Sequence, residues 1–285
     1  MLFRRIMMKK ITALFLTVIL MMTVLITPVF AVEADEQRTT IGADLTQEQV
    51  AKIYEDFGIE KGSVKEITVT NADERAYLEG LVDERKIGYV ALSCTYIKTL
   101  KEGEGTDITI MNINWCTEEM YKNALQTAGI TDAVVKITAP KPVSGTAALT
   151  GIYKAYEDIT GEKLNENAKE TAAQELVITG NLAESIGSDE ATQLVNELKK
   201  ILDQTKDMTD EELRQQIVSI AQSINVTLTD EQIQQLIDLV RSLEKLDISG
   251  LTDTINSVGD WFKSVGEAIS DFFKSIGEWF ASLFS

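Results

Sequence analysis

The chain has 285 residues, with 27 Lys and Arg against 45 Asp and Glu, no histidine and two cysteines. A net charge of −18 repels phosphate backbones, which excludes nucleic-acid binding. The absence of histidine excludes Ser-His-Asp and Cys-His catalysis and histidine-based metal sites, while a hydrophobic content of 44% argues for a folded core rather than disorder.

The first segment has the three parts of a secretory signal. Arg4, Arg5, Lys9 and Lys10 form a basic start, Ile11 to Phe30 is almost wholly apolar, and Val29-Phe30-Ala31 supplies small residues at a cleavage site. Cleavage near Ala31 is expected, favoured by Pro28 and the acidic VEADE that follows; an uncleaved anchor is the competing reading. Losing those four cations leaves 23 Lys and Arg against 45 acids, a mature net charge of −22. The expected location is outside the cell, secreted or attached to the extracellular face of the envelope.

Residues 38–143 predict an α+β domain. A strand is expected over Thr39–Asp44, then a helix capped by Thr46, running through Phe57 and ended by Gly58. Val64–Thr70 alternates as a strand, and Asn71 is expected to cap a helix over Ala72–Val82. Ile87–Leu100 and Thr106–Trp115 read as a hairpin about Glu102-Gly103-Glu104-Gly105, which places Cys94 roughly opposite Cys116. A disulfide is permitted in an exported chain; two separate thiols remain the alternative because register is open. A helix capped by Thr117 and ended by Gly129 follows, then the strand Ala133–Thr138. TQEQVAKIYEDFGI from Thr46 resembles TEEMYKNALQTAGI from Thr117, and each precedes a strand and a further helix, so the domain reads as a duplicated helix–strand–helix unit.

Pro140 and Pro142 mark a break, and residues 144–248 read as an all-helical region. Helices are expected over about Gly145–Ile159, Asn165–Thr179, Asp189–Gln204, Asp210–Ile224 and Asp230–Leu246. Ser144-Gly145-Thr146 is the best serine candidate for chemistry, since a helix N-terminus can hold an oxyanion, but Ser144 reads more simply as an N-cap. The paired carboxylates Glu118-Glu119, Asp210-Glu211-Glu212 and Asp230-Glu231 sit in first helical turns, where they complement the dipole. No catalytic residue, cofactor site or metal site is assigned, and the chain reads as a non-enzyme. A carboxylate- or serine-dependent hydrolase of cell-wall material is the alternative.

The segments VVKITAPKPVSGTAALTGIYKAYEDITG from Val134, TIGADLTQEQ from Thr40 and TVTNADERAYL from Thr68 resemble the YpuA-like family, exported Gram-positive proteins with a domain of unknown function. The resemblance covers about residues 38 to 245. It implies secretion and a shared α/β-plus-helical architecture, and it transfers no catalytic or binding residue.

Residues 250–285 form an amphipathic aromatic segment built on two eleven-residue units, DWFKSVGEAIS and DFFKSIGEWFA. Eleven residues make nearly three α-helical turns, so the repeat keeps one face apolar. Val258, Trp261, Phe262, Val265, Ile269, Phe272, Phe273, Ile276, Trp279, Phe280, Leu283 and Phe284 share that face. Expected partners are a membrane interface or a cell-surface protein; the repeat also permits a homo-oligomer, or packing on the chain's own bundle.

Overall fold

The computed structural model describes residues 34–81 and 83–246. The expected signal segment and the aromatic face from Val258 to Phe284 lie outside the described residues. Five strands form one mixed sheet: β1 Gln37–Gly42, β2 Lys65–Val69, β3 Cys94–Thr99, β4 Thr106–Ile110 and β5 Ala133–Thr138. Their spatial order is β2-β1-β3-β5-β4. Central β3 runs antiparallel to both β1 and β5, while β2 pairs parallel with β1 and β4 parallel with β5. The fold class is α+β.

Local chemistry sets the helices. Thr46 caps α1, Gln47–Phe57, in a full capping box with Gln49, and Gly58 closes it at φ 70°. Thr70, rather than Asn71, caps α2, Asn71–Leu78, because its hydroxyl accepts from the Asp73 N–H while the Asp73 carboxylate accepts from the Thr70 N–H. A single turn, α3, Glu84–Ile87, ends on the first residue of the stretch expected to be strand, and β3 begins only at Cys94. Thr117 caps α4, Glu118–Thr127, which leads into β5. Beyond the prolines come α5 Thr146–Thr160, α6 Glu166–Ile186, α7 Ser188–Lys200, α8 Leu202–Thr205, α9 Asp210–Ser223 and α10 Asp230–Leu243.

The hairpin expected across Cys94 and Cys116 does not form. The turn after β3 leads to β4, but β5 inserts between the two, pairing with both. Cys94 pairs across to Thr138, and both cysteines are free, buried thiols in different parts of the core. The paired segments that resemble each other share local order, capped helix then strand, but their helices lie on opposite faces of the sheet. On one face α1 buries Val50, Ile53, Tyr54 and Phe57 against Ile41, Cys94 and Tyr96. On the other, Ile97, Val135 and Ile137 meet α4, α5 and α6 through Leu125, Leu149, Ile152 and Leu176.

The proline break is not a boundary in the packing. Helix α5 lies directly on β1 and β3: a methyl at Gly151 would come within 2.6 Å of Thr40 Oγ1. Helix α6, about 31 Å long at 1.5 Å per residue, contributes Leu176 and Val177 to the sheet core. Its Ile178 and Leu182 join a second core with Leu194, Leu198, Leu213, Ile217, Leu236 and Val240 of α7, α9 and α10. The helical region therefore shares an element with the sheet. Among the described residues no helix is long and apolar enough to cross a membrane.

Candidate functional site

A cleft of about 490 Å³ opens where α3 and its following loop face the connection from β5 into α5. Its lining runs from Glu74 and residues 85–93 across Trp115 to residues 141–147. Three elements position it. Helix α2 supplies Glu74 on the turn below the buried Leu78. The segment after β4 supplies Asn114 and Trp115, and the turn through Lys141 to Thr146 supplies the opposite wall.

Gly145 fixes the turn. It takes φ 96°, a conformation that costs an L side chain, and its carbonyl accepts from the Tyr121 hydroxyl at 2.6 Å. A methyl there would overlap that hydroxyl and Ile113. Gly145→Ala is expected to lower stability by about 1–3 kcal/mol and to broaden the cleft. Thermal melts check the first part, and an unchanged midpoint would refute the strain argument.

Ser144 is not the N-cap of α5. Gly145 takes that place and no side chain caps the helix. Instead the Ser144 hydroxyl donates to the Lys86 carbonyl at 2.8 Å and lies 3.2 Å from Thr146 Oγ1, tying the two walls together. Its partners are a carbonyl and a hydroxyl, so no base stands ready to take its proton.

Glu74 is the charged group at the floor. It is 1% exposed, accepts from Thr146 Oγ1 at 2.6 Å and lies 3.5 Å from Asn71 Nδ2. Burial raises its pKa to about 7, against the opposing pull of the Thr146 and Asn71 hydrogen bonds and of Arg75. It is the single carboxylate in a lining that carries Arg85, Lys86 and Lys141.

Trp115 forms the wall beneath. Its ring packs on Gly180 of α6, where any β-carbon would overlap it, and Lys86 Nζ sits 4.2 Å from the ring centroid. Trp115 Nε1 and Lys86 Nζ both donate to Glu184 Oε1, at 2.8 and 2.6 Å, and those two hydrogen bonds with the Lys86 contact hold that carboxyl below its usual range. Burial pushes both the Cys94 and Cys116 thiols up to about 12, so neither is a thiolate nucleophile at neutral pH. Among the described residues no group of acidic and cysteine side chains is arranged to hold a metal ion.

Sequence patterns alone do not single out Glu74, Lys86, Trp115 or Lys141. One signal was available: Glu74 stands four residues before Leu78, on the inward phase of α2. The Ser144-Gly145-Thr146 candidate does lie at the cleft, as a structural tie rather than a nucleophile.

The family described as "Protein of unknown function (DUF1002)" matches residues 41–260, ending where the aromatic repeats begin. The uncharacterized protein YpuA of Bacillus subtilis (strain 168) is 39% identical over 215 residues, covering 73% of this chain and 72% of that protein. No solved structure matches the chain.

Proposed function

Because the chain belongs to the DUF1002 family of proteins of unknown function, we propose its role from the site and the patterns of its own sequence. It acts as an exported, non-enzymatic binding protein of the cell envelope. The cleft at Glu74, Trp115 and Ser144 receives the ligand, and the aromatic C-terminal face from Val258 to Phe284 docks the protein to a membrane interface or a surface partner.

The observation that carries the binding role is the cleft itself, a concavity with a few convergent polar groups over an aromatic wall. Support for a non-enzymatic reading comes from the same groups. The Ser144 proton points at a carbonyl, both thiols are held neutral, and Glu74 is the lone carboxylate in the lining. Glycoside hydrolysis ordinarily needs two carboxylates across the scissile bond, at separations of about 5–9 Å. The hydrolase reading keeps one point in its favour, a buried acid with a pKa of about 7 beside a cleft.

The docking half rests on sequence. Five phenylalanines and two tryptophans share one face in a segment of net charge −3, so apolar burial rather than lipid charge would hold it. Vesicle flotation of the mature chain, beside a full-length Phe272→Glu/Phe273→Glu variant, tests this on neutral and anionic lipid. The parent should float on neutral lipid and the variant should stay at the bottom. If the parent stays down, the lipid interface is refuted, and concentration-dependent sedimentation then separates a surface partner from self-association.

A further inference from the structure

Resting on the reading of the cleft as a binding site, we propose that its ligand is a small anion, carboxylate or phosphate, carrying an apolar arm. The charge balance of the lining inverts that of the chain. Acids outnumber bases 45 to 27 overall, yet the cleft is lined by Arg85, Lys86 and Lys141 against Glu74 alone. Local excess of one sign at a concavity is how a protein concentrates ligand of the opposite sign.

The cations are not equally committed. Lys86 is engaged by Glu184, Asn181 and the Trp115 face, and Arg85 by Asp83. Lys141 has no ion pair among the described residues and is exposed at the rim, next to Pro142 and Val143. It is the cation with a charge to spare. On the same wall, Ser144 and Thr146 lead into the uncapped first turn of α5, whose N–H groups favour an anion over a cation. Glu74, the one group that would oppose an anion, is fully buried and bonded to Thr146, with a pKa near neutrality.

The apolar arm follows from the opposite lip. Val90 is 49% exposed and lines the cleft, and its neighbour Tyr89 is 81% exposed. An apolar side chain half exposed at the lip of a cleft with polar walls marks the place where a ligand's own apolar part is buried.

The test uses the ¹⁵N-labelled mature chain and four probes that separate charge from arm. These are 3-phenylpropionate, phenyl phosphate, the neutral 3-phenylpropan-1-ol and acetate. Amide shifts should map to Val90–Ser93 and Ser144–Ala147. One of the two aryl anions should bind at least tenfold more tightly than both the alcohol and acetate, and which one it is assigns carboxylate or phosphate. Lys141→Gln, a change at an exposed side chain, should weaken that anion about tenfold while leaving the alcohol unaffected; the factor corresponds to about 1.4 kcal/mol. Val90→Ser should weaken the aryl anion and leave acetate unaffected.

If the alcohol binds at the same amides as tightly as the anions, anion selectivity is wrong while the cleft remains a binding site. The proposal also fails if Lys141→Gln leaves anion affinity unchanged. If no probe shifts these amides at about 10 mM, weaker than any specific contact is expected to be, both this inference and the cleft reading fall.

Discussion

Replacing Glu175 with alanine is expected to destabilise the protein by about 3–5 kcal/mol. Lys199 Nζ on α7 donates to Glu175 Oε1 on α6 at 2.8 Å, to Thr127 Oγ1 at 2.9 Å and to the Asn123 carbonyl at 3.2 Å on α4. Thr127 Oγ1 in turn donates to the second Glu175 oxygen at 2.5 Å. The Lys199 side chain is 0% exposed and that of Glu175 1%. Removing the carboxylate leaves an ammonium ion in apolar surroundings with two neutral acceptors, and an unpaired buried charge is among the costliest defects a core can carry. For a domain of this size the melting temperature should fall by roughly 6–20 °C. The network stitches the helix on the sheet to the helical bundle, so hydrogen exchange should loosen in α4 and α7 together. The paired replacement Glu175→Leu/Lys199→Met removes both charges and should recover most of the loss. Equal destabilisation by the single and the paired variants would show that packing, not the unpaired charge, sets the cost.

That network illustrates which parts of the fold are legible in the chain and which are not. Helices α1, α4, α9 and α10 announce themselves through a threonine cap and an apolar stripe, and the structure starts each of them where the cap predicts. Those signals are local. Lys199 stands four residues after Val195 and three before Leu202, in phase with the buried face of its helix, so its burial was readable from spacing. Its partner, 24 residues away on another helix, was not. The same limit explains the hairpin error. Two strand-like runs about a glycine-rich turn favour pairing locally, but β4 and β5, joined through α4, form a parallel pair, and β5 also takes the edge of β3. Parallel pairing arises from helix packing on the sheet face, which no turn motif encodes. The cleft was hidden for a related reason. Its walls come from residues 74, 85–93, 115 and 141–147, and only the last was flagged by its sequence.

Raising the pH from about 5 to about 8 should cost the folded state stability through Glu74, by about 3 kcal/mol in the limit. The direction follows from the proton balance. Burial lifts its folded pKa to about 7, whereas the exposed carboxyl of the unfolded chain titrates near 4.5. Between those values the folded state holds a proton that the unfolded state has released. The stabilisation is therefore complete below 4.5 and lost as pH climbs through 7. The groups around Glu74 shape this but do not reverse it. Thr146 and Asn71 donate to the ionised form, Arg75 on the same helix favours it, and the buried Cys116 and Tyr121 feel its charge. Other carboxylates, such as Asp73, Glu157 and Asp158, have lowered pKa values and lose their contribution in acid, so the whole-protein profile is a sum of opposing trends. The difference between parent and Glu74→Gln isolates the one residue. The amide can accept from Thr146 and cannot ionise, so the parent should gain on the variant as pH falls from about 7 towards 4.5, with the difference level above and below that window. A parent-minus-variant difference that stays flat across the range would refute the raised pKa.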